Sequence, residues 1–173
     1  MNLRTITTAA LLCGTLVSSA SADFIQYKVL NALHLSASYG MLDLDTTSTT
    51  SVNYELGYDI IKENYIVGFS YTLEAPTDTT YLSYGSYEMD LGYRVTPKAH
   101  VYGLVSYDFS DGAVAGGVGF GLGAKYQVFD SIALMSKVKY TSMSAAIGND
   151  YGKTVATVGV EFNFRKGDGS TRW

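Results

Sequence analysis

Residues Thr154–Phe164 read TVATVGVEFNF. Every second residue is apolar (Ala156, Val158, Val160, Phe162, Phe164), and Thr157, Gly159, Glu161 and Asn163 stand between them. A period of two marks a strand with one apolar and one polar face. A strand of roughly ten residues with this alternation and a closing aromatic suits a wall between lipid and water.

The same alternation recurs seven times upstream. Over Asn31–Asp43, Leu33, Leu35, Ala37, Tyr39 and Met41 oppose His34, Ser36, Ser38 and Gly40. Over Ser51–Ile61, Val52, Tyr54, Leu56, Tyr58 and Ile60 oppose Asn53, Glu55, Gly57 and Asp59. Over Tyr65–Glu74, Tyr65, Val67, Phe69, Tyr71 and Leu73 oppose Gly68, Ser70 and Thr72. Over Tyr84–Val95, Tyr87, Met89, Leu91, Tyr93 and Val95 oppose Glu88, Asp90, Gly92 and Arg94. In Ala99–Phe109 the apolar face reads Val101, Val105, Tyr107 and Phe109, with Tyr102 and Leu104 blurring the choice. Over Gly116–Val128, Val118, Phe120, Leu122, Ala124 and Tyr126 oppose Gly117, Gly119, Gly121, Gly123 and Lys125. Over Ile132–Tyr140, Ile132, Leu134, Val138 and Tyr140 oppose Lys137 and Lys139. The expected fold is all-β: an eight-stranded antiparallel up-and-down transmembrane β-barrel. An even strand count puts both termini on one side, the periplasmic one.

The connections fit that topology. Tight turns follow the second, fourth and sixth strands: Lys62-Glu63-Asn64, Thr96-Pro97-Lys98 and Asp130-Ser131. Longer polar links, Asp45–Thr50, Glu74–Thr80, Ser110–Ala115 and Ser142–Lys153, follow the others. Short periplasmic turns alternating with longer outer loops are the expected asymmetry. Tyr58, Tyr65, Tyr93, Tyr126 and Phe164 fall at periplasmic strand ends. Tyr39, Tyr54, Tyr71, Tyr87, Tyr107 and Tyr140 fall at or near outer ends. Aromatic rings favour both membrane interfaces, so two girdles emerge.

The chain opens with a signal peptide, Met1–Ala22: Arg4, an apolar stretch from Ile6 to Val17, and a small-residue cleavage site at Ala20-Ser21-Ala22. Cys13, the only cysteine, lies inside it and follows Leu11-Leu12, not the small residue of a lipoprotein site. The mature chain therefore carries no thiol and needs no disulfide in an oxidising compartment. Expected segments are 1–22 signal peptide, 23–164 barrel and 165–173 a short periplasmic tail. Removing Arg4 from the 12 Lys and Arg leaves 11 against 16 Asp and Glu, a net charge near −5. That excludes a nucleic-acid surface, which needs clustered positive charge. No later apolar run reaches the roughly 20 residues of a membrane helix. The richness in Tyr (15) and Gly (18) and the scarcity of Pro (2) suit strands and close-packed barrel walls.

With this signal, these strands and a final strand ending in Phe164, the mature chain resembles the small eight-stranded outer-membrane barrels of Gram-negative bacteria. Outer-membrane protein X and the transmembrane domain of outer-membrane protein A are of that type. The resemblance implies an outer-membrane, porin-like location at the cell surface, with lipid and lipopolysaccharide as surroundings. It also implies that Phe162 and Phe164 belong to an assembly signal read by the barrel-assembly machinery. The chain departs from the pattern in its extension RKGDGSTRW, residues 165–173.

The inward face carries one charge constellation: acidic Glu55, Asp59, Glu88, Asp90 and Glu161, basic Arg94, Lys125, Lys137 and Lys139. Eight strands enclose an interior just wide enough for side chains. Buried charges there must pair, which favours a structural salt-bridge plug over a gated ion path. The glycines of the sixth strand leave room for the long charged side chains. His34 and Ser36 share a face two residues apart, a spacing found in some lipid A deacylases. In those the pair lies late in the chain on the lipid-facing surface; here it faces inward on the first strand. His100 reads as a rim residue near a turn. No His/Cys spacing points to a transition metal, and Asp43, Asp45, Asp78, Asp111 and Asp150 match no calcium loop. No cofactor is expected. Three functions follow: a non-enzymatic structural or adhesion-like protein whose outer loops meet a host or surface ligand, a narrow gated pore, or a lipid A-modifying enzyme. The first is preferred.

Overall fold

The computed structural model describes residues 30–45, 47–111, 115–145 and 150–166. The expected signal peptide and most of the expected tail lie outside them. Eight strands follow one another: β1 (Leu30–Leu44), β2 (Thr47–Lys62), β3 (Tyr65–Pro76), β4 (Tyr84–Thr96), β5 (Ala99–Ser110), β6 (Ala115–Phe129), β7 (Ile132–Ala145) and β8 (Tyr151–Lys166). Each pairs antiparallel with the next, and β1 pairs with β8 to close an up-and-down barrel. β8 continues to Lys166, so Arg165 and Lys166, expected in the tail, have strand backbone.

The register fixes the barrel's geometry. Partners lead from Leu33 through Tyr58, Phe69, Met89, Val105, Phe120, Tyr140 and Thr154 to Asp43 on the starting strand. That return, ten residues along β1, is the shear. For eight strands it corresponds to a tilt of about 40° and a radius of about 8 Å. The eight steps from Leu33 to Met41 then rise about 20 Å along the axis, comparable with the ~25 Å apolar band of a membrane barrel.

Burial inverts the water-soluble rule. Leu122 is 70% exposed, Leu91 61% and Phe120 63%, whereas Lys139, Lys153, Asp108 and Glu161 are buried. An exposed apolar belt of this extent calls for a non-aqueous surrounding. Tyr102 and Leu104, ambiguous in the sequence, are both buried and face inward. Rings pair across the outward wall at both rims: Tyr65 with Tyr93 at 5.5 Å, and Tyr71 with Tyr87 at 5.4 Å.

The end with Leu30 and Lys166, here the near end, has turns at 63–64, 97–98 and 130–131. Glu63 has φ 54, the left-handed region that a two-residue hairpin turn uses. At the far end β1 and β2 are linked by Asp45 and Thr46 alone, with Asp45 at φ 47. The expected loop over Asp45–Thr50 is therefore mostly strand. Its Thr residues are polar but β-branched, and they keep pairing above the apolar belt.

Candidate functional site

Alternation places one face of every strand inside the barrel, and the charges there meet across it. Lys139 (β7) lies 2.8 Å from Glu74 Oε1, 2.8 Å from Glu88 Oε1 and 3.1 Å from Asp108 Oδ1. Lys153 (β8) bonds the other oxygens of the first and last, Glu74 Oε2 at 2.5 Å and Asp108 Oδ2 at 2.7 Å. Two ammonium groups and two carboxylates thus close a ring drawn from β3, β5, β7 and β8. Ser86 and Thr141 donate hydrogen bonds to Asp108 at 2.6 and 2.7 Å. Lys153 also sits 4.5 Å above the Tyr84 ring.

Toward the near end, Lys137 bridges Glu88 Oε2 at 2.7 Å and Glu55 Oε2 at 2.8 Å. His34 stands between two carboxylates, Nε2 3.2 Å from Glu55 Oε1 and Nδ1 3.2 Å from Asp59 Oδ2. Lys125 lies 2.7 Å from Glu161 Oε2 and 3.7 Å from Asp59 Oδ2, beneath the Tyr102 ring. Asn163 donates to Glu161 Oε1 at 3.0 Å. The contacts run without a break from Lys153 to Glu161.

Two glycines make this possible. A Cβ on Gly57 would collide with the His34 imidazole, and one on Gly123 with the Tyr102 ring. Above the charges, Leu42, Tyr84, Ala115, Met143 and Val155 form an apolar cluster inside the far end. Tyr84 and Tyr151 hydroxyls stand 3.3 Å apart at its edge. Ile61 and Ile66 pack together at the near end.

All nine charged residues marked in the sequence lie on inward faces. Glu55, Asp59, Glu88, Lys125, Lys137, Lys139 and Glu161 are joined by the contacts above. Asp90 shares the space over Gly68 with Asp59, and Arg94 is buried nearer the near end. Phe162 and Phe164 point outward, 46% and 56% exposed. Glu74, Asp108 and Lys153 also belong to the network, although alternation alone puts Glu74 and Lys153 at loop edges and leaves Asp108 unmarked. Their parity matches Thr72, Ser106 and Glu161, and parity was the signal that finds them. His100 is buried at the start of β5, beside the 97–98 turn at the barrel's near rim.

Neither a protein-family model nor a curated protein sequence matches the chain. Solved structures do share its fold. Neisserial surface protein A is 11% identical, with a TM-score of 0.54 over 78% of this chain and 97% of its own. The N-terminal β-barrel domain of Pseudomonas aeruginosa OprF is 15% identical, with a TM-score of 0.54 over 79% of this chain and 100% of its own. Ail, the attachment invasion locus protein of Yersinia pestis, was solved with the heparin analogue sucrose octasulfate. It is 10% identical, with a TM-score of 0.53 over 80% of this chain and 100% of its own.

Proposed function

We propose that this chain, which has the fold of the small eight-stranded outer-membrane barrels, is an integral outer-membrane protein of a Gram-negative bacterium with no enzymatic activity. Its role on this reading is structural or surface-interacting, with the far end outermost and Met1–Ala22 removed as a signal peptide. One observation carries the reading: an apolar wall around a charged, side-chain-filled interior. A membrane barrel needs that inversion, and a filled interior suits a scaffold more than a conduit.

The His34–Ser36 pair gives a lipid A-modifying activity no support. Both ring nitrogens of His34 face carboxylates, and among the described residues Ser36 Oγ has no hydrogen-bond partner. A nucleophile needs its base within hydrogen-bond reach. At the far end Asp43, Asp45, Asp78, Asp111 and Asp150 supply the charge, and no Lys or Arg lies in residues 43–51, 74–84, 108–116 or 142–152. A surface partner on this reading is neutral or cationic, unlike the polyanion seen on Ail. On this reading lipopolysaccharide surrounds the far end, and the barrel-assembly machinery reads β8.

Heat-modifiability in purified outer membranes tests the reading. We expect a gel mobility shift between unboiled and boiled samples. Recovery in the soluble periplasmic fraction with no shift would sink it.

A further inference from the structure

His34, Glu55 and Glu161 come from the adjacent strands β1, β2 and β8. One donor atom from each lies within 4.8 Å of the others. Ser36 is paired in register with both Glu55 and Glu161. Its hydroxyl is buried, with no hydrogen-bond partner among the described residues. Glu55 Oε1 faces His34 Nε2 at 3.2 Å, while Lys137 and Thr72 hold the other oxygen.

An imidazole nitrogen, two carboxylates and a hydroxyl make the mixed donor set that borderline divalent metals take. Around a four-coordinate ion with bonds of about 2.1 Å, ligand atoms sit about 3.4 Å apart. The His34–Glu55 separation already has that span. Asp59 meets the far nitrogen of the ring, the outer partner that orients a ligating histidine. Lys125 and Asn163 fix the Glu161 carboxylate in the same way.

We propose that His34, Glu55 and Glu161, with the Ser36 hydroxyl, bind one divalent transition-metal ion of the Zn2+ class inside the barrel. The ion ties β2, β1 and β8 together at the seam where the barrel closes. The site depends on the barrel interior alone, not on the membrane the barrel occupies.

The full chain, refolded in detergent with Zn2+ or Co2+ and desalted, tests this. We expect about one Zn2+ retained per folded chain by elemental analysis. The Co2+ form should show visible d–d absorption, and excess Ca2+ or Mg2+ should not displace it. His34→Gln, confirmed folded by heat-modifiability, should lose retention at least tenfold. If His34→Gln does not fold, Asp59→Asn keeps every ligand and should weaken retention roughly 10–100-fold. Folded wild type with no Zn2+ and no Co2+ band overturns the site. Equal retention by a folded His34→Gln variant overturns it as well.

Discussion

Asp108 shows what one carboxylate does inside this wall. It is fully buried, accepts hydrogen bonds from Ser86 and Thr141 and meets both Lys139 and Lys153. Its oxygens are shared among four donors, so truncation takes a carboxylate from two buried ammonium groups and leaves Lys153 with Glu74 as its one remaining carboxylate among the described residues. Asp108→Ala should therefore cost about 3–5 kcal/mol, measured by urea unfolding in detergent micelles. An unchanged midpoint would mean that the lysines find other partners. Asp108→Asn keeps the acceptor and the volume and should cost less. His34 is a subtler case, because its surroundings depend on a residue with no side chain. Gly57 leaves room for the imidazole, and even a methyl group there would push the ring off its two carboxylates.

At the scale of the strand, β8 closes the barrel against β1 with Phe162 and Phe164 outward. If the assembly machinery reads that strand, Phe164→Ala should lower the heat-modifiable fraction in outer membranes and leave unassembled mature chain in the periplasm. Equal folding of the variant would separate Phe164 from assembly. The turn after β3 has a local device. Thr80 donates its amide and hydroxyl to Asp78 Oδ1 at 3.0 and 2.8 Å, which holds the Asp78 carboxyl below its ordinary range. The carboxylate's contribution is present above its unfolded-state value and is lost as pH falls through the lowered folded-state one. Thr80 amide protection should accordingly hold at neutral pH and fall only below the usual carboxylate range, and Asp78→Asn should flatten that step. Within the apolar belt the strands were legible, because lipid on one side and packed polar groups on the other impose alternation. Above it both faces are polar, so Thr47–Thr50 read as loop. Lys153, between Gly152 and Thr154, escapes for the same reason, whereas Glu74 closes its strand where the polar link begins. The far-end cluster escaped differently: Leu42 and Val155 are apolar on the inward parity, against the pattern used to find the faces.

The whole molecule is a filled cylinder: a charge chain from Lys153 to Glu161, with an apolar cluster over one end. Planar bilayers containing the purified protein should show no discrete conductance steps at neutral pH. Regular steps that survive repurification would restore the pore reading. The cross-lumen contacts also have a mechanical meaning. Backbone ladders join only neighbouring strands, so a ring of eight resists stretching but flattens readily into an ellipse. Lys125 to Asp59 links β6 with β2, halfway around the ring; Lys153 to Glu74 links β8 with β3, and Lys153 to Asp108 links β8 with β5. These pairs act as spokes at different angles, so squeezing the cross-section along any diameter must lengthen at least one of them.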